Sequence, residues 1–201
     1  MGLFSRSFFL LDVRWLGNSC LEVIEEPGRE ILIDPCYEVE PKVNPDLVLV
    51  THEHDDHFNK KQFESLNGEK KLFALRETLE KFEVDGTAVS ENDAINDIRV
   101  MFSDCYNAEK SVSYFINELL HPRDSAKFPR PKKEVKLAFP ACFPDLYSTY
   151  TDELKEVNPN LVIPFYYDLE EVLEEAKELS NKLKQENLNS KVIDLGDKVE
   201  L

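Results

Sequence analysis

Apolar residues in this chain come in short runs broken by turn formers, and the spacing changes from period two to helical period and back along its length. Residues 7–15, 20–26, 29–34 and 46–51 read as strands, with Pro27-Gly28 as the turn between the second and third. Residues 59–66 form a short helix, capped by Asn59 and stopped at Asn67-Gly68. A strand at 72–75 and a helical turn at 77–82 follow, then a strand over 97–104 with Ile98, Val100 and Phe102 alternating. Residues 111–121 read as a hairpin folded at Asn117-Glu118, which leaves Asp124 just past its second strand.

The last third alternates in the same way. Strands at 135–139 and 161–165 are separated by a helix in which Leu146, Tyr150, Leu154 and Val157 fall at i, i+4, i+8 and i+11. Asp168 opens the longest helix, and Glu171 three residues on completes a capping box. Leu169, Val172, Leu173, Ala176, Leu179 and Leu183 make its apolar stripe, opposite Glu170, Glu174, Glu175 and Lys182. Without a repeat, a low-complexity tract or a linker, residues 1–201 are expected to form a single domain, and periodicity by itself assigns it to the α/β class.

Composition narrows the partners. The 40 acidic residues outnumber the 24 basic ones, for a formal charge of -16, so the field of the whole molecule repels phosphate backbones and nucleic acid is not an expected partner. Hydrophobic residues make up 42% of the 201, enough for a core that buries roughly 70% of the unfolded surface. Cys20, Cys36, Cys105 and Cys142 are scattered without a C-x-x-C pair and read as reduced thiols. The apolar stretch at the N-terminus is interrupted by Arg6 and lacks a small-residue cleavage site, so it does not read as a signal peptide. No run approaches the roughly 20 apolar residues of a membrane span. A cytoplasmic protein without membrane association is expected; its oligomeric state is not legible.

One segment departs from this plain picture. The chain has four histidines, and three stand in the run Thr51-His52-Glu53-His54-Asp55-Asp56-His57-Phe58, directly after the apolar strand 46–51. Imidazole and carboxylate together bind zinc, iron or manganese. In extended chain His52 and His54 point to the same side and can grip one ion, while the following turn brings Asp56 and His57 to a neighbouring position. Glu53 and Asp55 read as loop charges. His121, the fourth histidine, reads as a packing residue.

The run resembles the H-x-H-x-D-H signature of the metallo-β-lactamase superfamily, and further segments resemble its branch of small metal-dependent hydrolases that includes ascorbate-6-phosphate lactonase-like proteins. Trp15-Leu16-Gly17-Asn18-Ser19-Cys20 resembles that branch's opening turn, Ile31-Leu32-Ile33-Asp34-Pro35 its strand end, and His121-Pro122-Arg123-Asp124-Ser125 the segment carrying the aspartate that bridges two metals. The resemblance implies an αββα sandwich of two mixed sheets flanked by helices. It also implies a hydrolase acting on a small-molecule ester, lactone or phosphoester with water activated by one or two divalent ions, zinc above all, with manganese or iron as alternatives.

Carried over residue by residue, His52, His54 and Asp124 would hold the first ion and Asp56, His57 and Asp124 the second, with Asp56 also orienting the nucleophilic water. Asp34 would buttress the ligand loop from behind. Four positions depart from the pattern. Asn18 replaces a frequent histidine, and Arg123 replaces the glycine before the bridging aspartate. The third histidine of the first site is missing near residues 102–106, where Asp104 or Cys105 would have to substitute. Tyr166 stands where the last histidine of the second site belongs. Tyr166 and Arg123 are candidate substrate contacts, Arg123 for an anionic group. The alternative is a degenerate, non-catalytic member of the fold that binds a ligand or regulates.

Overall fold

The computed structural model describes residues 11–26, 28–105, 107–165 and 173–201. Residues 7–10 of the predicted first strand, Tyr166 and the Asp168/Glu171 capping box lie outside them. In chain order the described elements are β1 (Leu11–Trp15), β2 (Leu21–Glu25), β3 (Arg29–Ile33), β4 (Leu47–Leu49), α1 (Lys60–Ser65), β5 (Lys71–Ala74), α2 (Arg76–Phe82), β6 (Thr87–Ala88), β7 (Ala94–Ile95), β8 (Ile98–Phe102), β9 (Val112–Ile116), β10 (Leu119–Arg123), β11 (Leu137–Pro140), α3 (Tyr147–Val157), β12 (Leu161–Val162), α4 (Leu173–Gln185) and β13 (Lys198–Glu200). A single 3₁₀ turn, Pro144–Leu146, leads into α3.

Two mixed sheets result. One runs β13-β1-β2-β3-β4-β5-β6 and the other β12-β11-β10-β9-β8-β7. β1, β2 and β3 form an antiparallel meander, after which β3, β4, β5 and β6 are parallel. In the second sheet β7 to β10 are antiparallel, and β11 and β12 add on in parallel. Alternation along β4 shows how the layers are divided. Leu47 and Leu49 join the main core between the sheets, whereas Val48 and Val50 turn outward to Phe58, Phe63 of α1 and Phe82 of α2. On the other flank Tyr150 and Leu154 of α3 and Ala176, Leu179 and Leu183 of α4 belong to the main core. This is the αββα sandwich.

Local sequence explains most of the element ends. Asn59 caps α1 by accepting the N–H groups of Lys61 and Gln62 on its side chain. Asn117 and Glu118 both adopt positive φ, 45° and 74°, which makes the β9–β10 connection a two-residue turn. Gly17, at φ 106°, sits where a Cβ would lie 2.9 Å from Glu38 Cγ, so the turn after β1 needs glycine twice over. The predicted strand 161–165 shrinks to two residues because Pro164 has no N–H to offer the ladder, although Phe165 still bridges to Ala141. β6 and β7 were not foreseen. Each is two residues long, too short to show a period.

The topology brings four chain ends together. β3 and β4 are parallel, so Asp34 and the run 51–57 leave the first sheet at one edge. β8 and β10 are each antiparallel to β9 and therefore run in the same direction, delivering residues 103–105 and Asp124 at one edge of the second. The Val112 N–H donates to the Thr51 carbonyl at 3.0 Å and ties the two edges together. Among the described residues no helix is long and apolar enough to cross a membrane.

Replacing Leu49, fully buried between the sheets, by alanine is expected to lower the unfolding free energy by about 2–5 kcal/mol. Asn59→Ala, which removes only a helix cap, should cost about 1 kcal/mol. Urea denaturation of the two variants reads both, and equal losses would contradict the layer assignment.

Candidate metal centre

The site is built on Asp34. This residue takes φ 49° at the end of β3, and its own N–H donates to the Leu49 carbonyl, which aims its carboxylate at the end of β4. Oδ1 accepts the Thr51 N–H at 2.8 Å and Oδ2 the Thr51 hydroxyl at 2.8 Å. Oδ2 also accepts from His57 Nδ1 at 2.8 Å, and His121 Nε2 lies 3.9 Å away. Asp34, Thr51, His57 and His121 are all completely or almost completely buried. Burial pushes the Asp34 carboxyl up, but His57 and His121 outweigh it and hold the group well below the usual carboxylate range. Because an ionised carboxylate can only accept, the proton of the His57 ring stands on Nδ1. Ser19 Oγ, 3.0 Å from the same nitrogen, backs that contact.

The rest of the loop turns about this anchor. His57 and Phe58 both donate their N–H groups to the His54 carbonyl, at 3.0 and 3.2 Å, a turn that leaves Asp55 exposed, Asp56 half-buried and His57 fully buried. Lys81 of α2 reaches over to the Glu53 carbonyl and the Asp55 carboxylate and fastens the loop from outside. The ring of His52 stands 4.2 Å from that of His54 and 4.0 Å from that of His57. Burial, followed by the neighbouring His57 and Arg123, pushes His52 far below the ordinary imidazole range, so its ring is neutral, as a metal ligand must be.

One nitrogen each of His52 and His54, the sulfur of Cys105 and one oxygen of Asp124 all lie within 4.8 Å of one another. Zinc at about 2.3 Å from sulfur and about 2.0 Å from nitrogen or oxygen spaces tetrahedral donors by roughly 3.3–3.6 Å. The separations at Cys105 are 3.6 Å to His52 Nε2 and 3.3 Å to Asp124 Oδ2. The donors therefore fit a divalent ion with little rearrangement. His52 is buried while His54, Cys105 and Asp124 are half-buried, so the cluster is closed at His52 and open to solvent at the other three donors. Burial, opposed by Arg123 and reinforced by Asp124, pushes the Cys105 thiol up to about 12; its S–H donates to Asp124 Oδ2. Ser125 fixes the two loops relative to each other, since its Oγ accepts the Asp104 N–H at 3.0 Å and donates to the Lys127 carbonyl at 2.6 Å.

A model of the beta-lactamase superfamily domain matches residues 12–115, just over half of the chain, a stretch that holds His52, His54 and Cys105. The chain belongs to the beta-lactamase superfamily. A metal-dependent hydrolase of Methanobrevibacter smithii is 44% identical over 54 aligned positions, which cover 23% of each protein. That stretch and similar ones in Methanopyrus kandleri and Pyrococcus furiosus span about a quarter of those relatives' length. A metal-dependent hydrolase of Methanosarcina mazei aligns over 91% of this chain and 94% of its own, at 24% identity. Among solved structures, the metallo hydrolase Igni18 of Ignicoccus hospitalis superposes with a TM-score of 0.73 at 17% identity, covering 96% of this chain and 98% of its own. The metallo-β-lactamase-fold protein YhfI of Bacillus subtilis gives 0.69 at 13%, covering 96% and 100%. These likenesses establish the fold.

Within this superfamily site the residues singled out in the sequence divide into three groups. His52, His54, Cys105 and Asp124 come together. His57 and Asp34 stand directly behind them, His57 Nε2 lying 3.9 Å from Asp124 Oδ2. Asp104 and Asp56 do not join. Asp104 is exposed and its N–H donates to Ser125 Oγ, and Asp56 is half-buried outside the four-donor cluster, its charge felt at Cys36. Arg123, expected as a loop residue open to an anionic substrate, is fully buried. Tyr166 lies outside the described residues. Sequence reasoning passed over Ser19, Thr51 and Ser125. Each directly follows or precedes a residue it did select, but a hydroxyl beside a ligand has no period or spacing to mark it.

Cys105→Ala is expected to weaken Zn²⁺ binding by at least about 10–100-fold, while Asp104→Ala leaves it within a factor of two. Because the thiol must lose its proton to bind, wild-type affinity should rise with pH by about tenfold per unit between pH 6 and 8 beyond the slope seen in Cys105→Ala. Competition titrations with a chromophoric chelator read both quantities. The reverse ranking of the two variants would transfer the fourth ligand to Asp104.

Proposed function

We propose that this protein is a metal-dependent hydrolase of small-molecule esters, lactones or phosphoesters. The observation that carries the reading is the convergence of His52, His54, Cys105 and Asp124 on one point, open on one side, with an oriented imidazole behind it. The curated relatives named as metal-dependent hydrolases support it. An ion held there supplies Lewis acidity toward a carbonyl or phosphoryl oxygen and makes water acidic enough to attack at neutral pH.

The protein's own groups do the remainder. Asp34 keeps the His57 proton on Nδ1, so Nε2 faces the cluster as a proton acceptor, able to take a proton from the attacking water and return it to the leaving oxygen. Asp124 Oδ2, between His57 Nε2 and Cys105 Sγ, orients that water. The Asp34–Thr51 hydrogen bonds prevent the loop from relaxing during the transfer. A cleft of about 620 Å³ is lined by Leu75, Val89, Phe102, Cys105 and Val112, and its polar side carries Glu77, Glu91, Asp104 and Glu109 as well as Arg76 and Lys110. That size suits a small molecule, and the chain's formal charge of -16 argues against a nucleic acid.

The test is a panel of generic esters, lactones and phosphodiesters assayed with Zn²⁺- or Mn²⁺-loaded protein, before and after chelation. Turnover of at least one class, abolished by chelator and restored by metal, is expected. His57→Ala should lower kcat by about 10²–10⁴ with metal content unchanged. A fully metal-loaded protein inert toward all three classes would reject the proposal, and undiminished turnover in His57→Ala would remove the proton-transfer role.

A further inference from the structure

Arg123 is the odd residue of the site. It ends β10 with φ 55°, a conformation that favours glycine, and its side chain is among the largest in the molecule to be completely buried. Nη2 lies 2.8 Å from Asp124 Oδ1, yet among the described residues Nε, Nη1 and Nη2 make no well-formed hydrogen bond, and neither does Oδ1. A buried guanidinium ordinarily satisfies its donor fork with carboxylates or carbonyls. Here the charge is matched, while among the described residues the donor fork meets only Asp124 and the Cys105 sulfur, without well-formed geometry. The group is held in the interior by its electrostatic partner, and its charge is felt at His52, Cys105 and Tyr114.

The two oxygens of Asp124 consequently face different cations. Oδ2 belongs to the donor cluster, 3.3 Å from Cys105 Sγ, while Oδ1 faces the guanidinium. We propose that Arg123 is the fixed cation of a mononuclear centre: it occupies the Oδ1 side of Asp124, where a second divalent ion would otherwise bridge, and holds Oδ2 toward the single ion. The inference rests on the metal-centre reading above. Charge bookkeeping agrees with it. Once loaded, the thiolate of Cys105 and the carboxylate of Asp124 place two negative charges beside one another in a half-buried site, and a permanent positive charge next to both balances what one divalent ion must otherwise offset alone. A second divalent ion at Oδ1 would stand within bonding distance of a guanidinium that cannot give up its proton. Asp56, whose charge is felt at Cys36, is not among the donors that converge with Asp124 and so does not complete a second cage at Oδ1.

Arg123 is thus a positioning residue, and metal counting tests it independently of turnover. Wild-type protein titrated with Co²⁺ or Zn²⁺ and desalted should retain one equivalent by elemental analysis, and the Co²⁺ form should show the thiolate charge-transfer band saturating at that point. Arg123→Gly, which the positive φ accommodates, should take up a second equivalent with no further growth of the band, whereas Arg123→Lys, which keeps the charge, should remain at one. Two equivalents in wild-type protein would overturn the inference while leaving the hydrolase reading intact, and zero equivalents would overturn both. Folded Arg123→Gly that stays at one equivalent would also overturn it. If that variant fails to fold, the counts for wild type and Arg123→Lys decide.

Discussion

An ionised carboxylate with no access to water is tolerated only where donors converge on it, and Asp34 is such a group. Its oxygens accept from the Thr51 backbone, the Thr51 hydroxyl and the His57 ring, with the His121 ring just beyond. Each of those partners lies on a different part of the chain: the end of β4, the far side of the ligand loop, and β10 in the opposite sheet. To satisfy one buried charge the protein must therefore bring two strands of one sheet, the loop that follows the second of them and the facing sheet to a single point. The left-handed backbone of Asp34 is the local cost of aiming that carboxylate. The histidine loop is tied at Thr51 and at His57 to this one charge.

Much of this could be read from residues alone, and the division follows physical lines. The apolar runs of β3 and β4, the alternation over β8, the Asn59 cap and the Asn117-Glu118 turn are local signals, and the sequence shows them because they depend on neighbours within a few positions. The His52/His54 pair was legible for the same reason, since i and i+2 share a side in extended chain. What depended on the direction a side chain takes after a strand ends was not. Asp104 and Cys105 are adjacent and equally plausible as donors until Ser125 captures the Asp104 N–H and turns its carboxylate outward. Asp56 lies in the signature run, yet it is His57 that the turn onto the His54 carbonyl buries, and Asp56 is not among the converging donors. Arg123 looks like a solvated loop charge in sequence, because nothing local announces that β10 extends to it and buries it.

Four protein donors around one ion often mark a site that serves folding, and such sites are closed. The architecture here argues for the other role. The loops that carry the donors are already fastened without any ion: the run 51–57 by Asp34 and Lys81, residues 103–105 by Ser125, and the two sheet edges by the Val112–Thr51 hydrogen bond. An ion would add little to a frame so tied, beneath which a continuous apolar core runs through both sheets. Its donors also reach solvent on one side, through half-buried His54, Cys105 and Asp124, where a structural ion would be sealed in. Zinc can take a fifth ligand from that open side. A site that the fold does not need for its stability, preorganised by a buried charge and exposed on a single face, has the properties that metal-assisted chemistry requires.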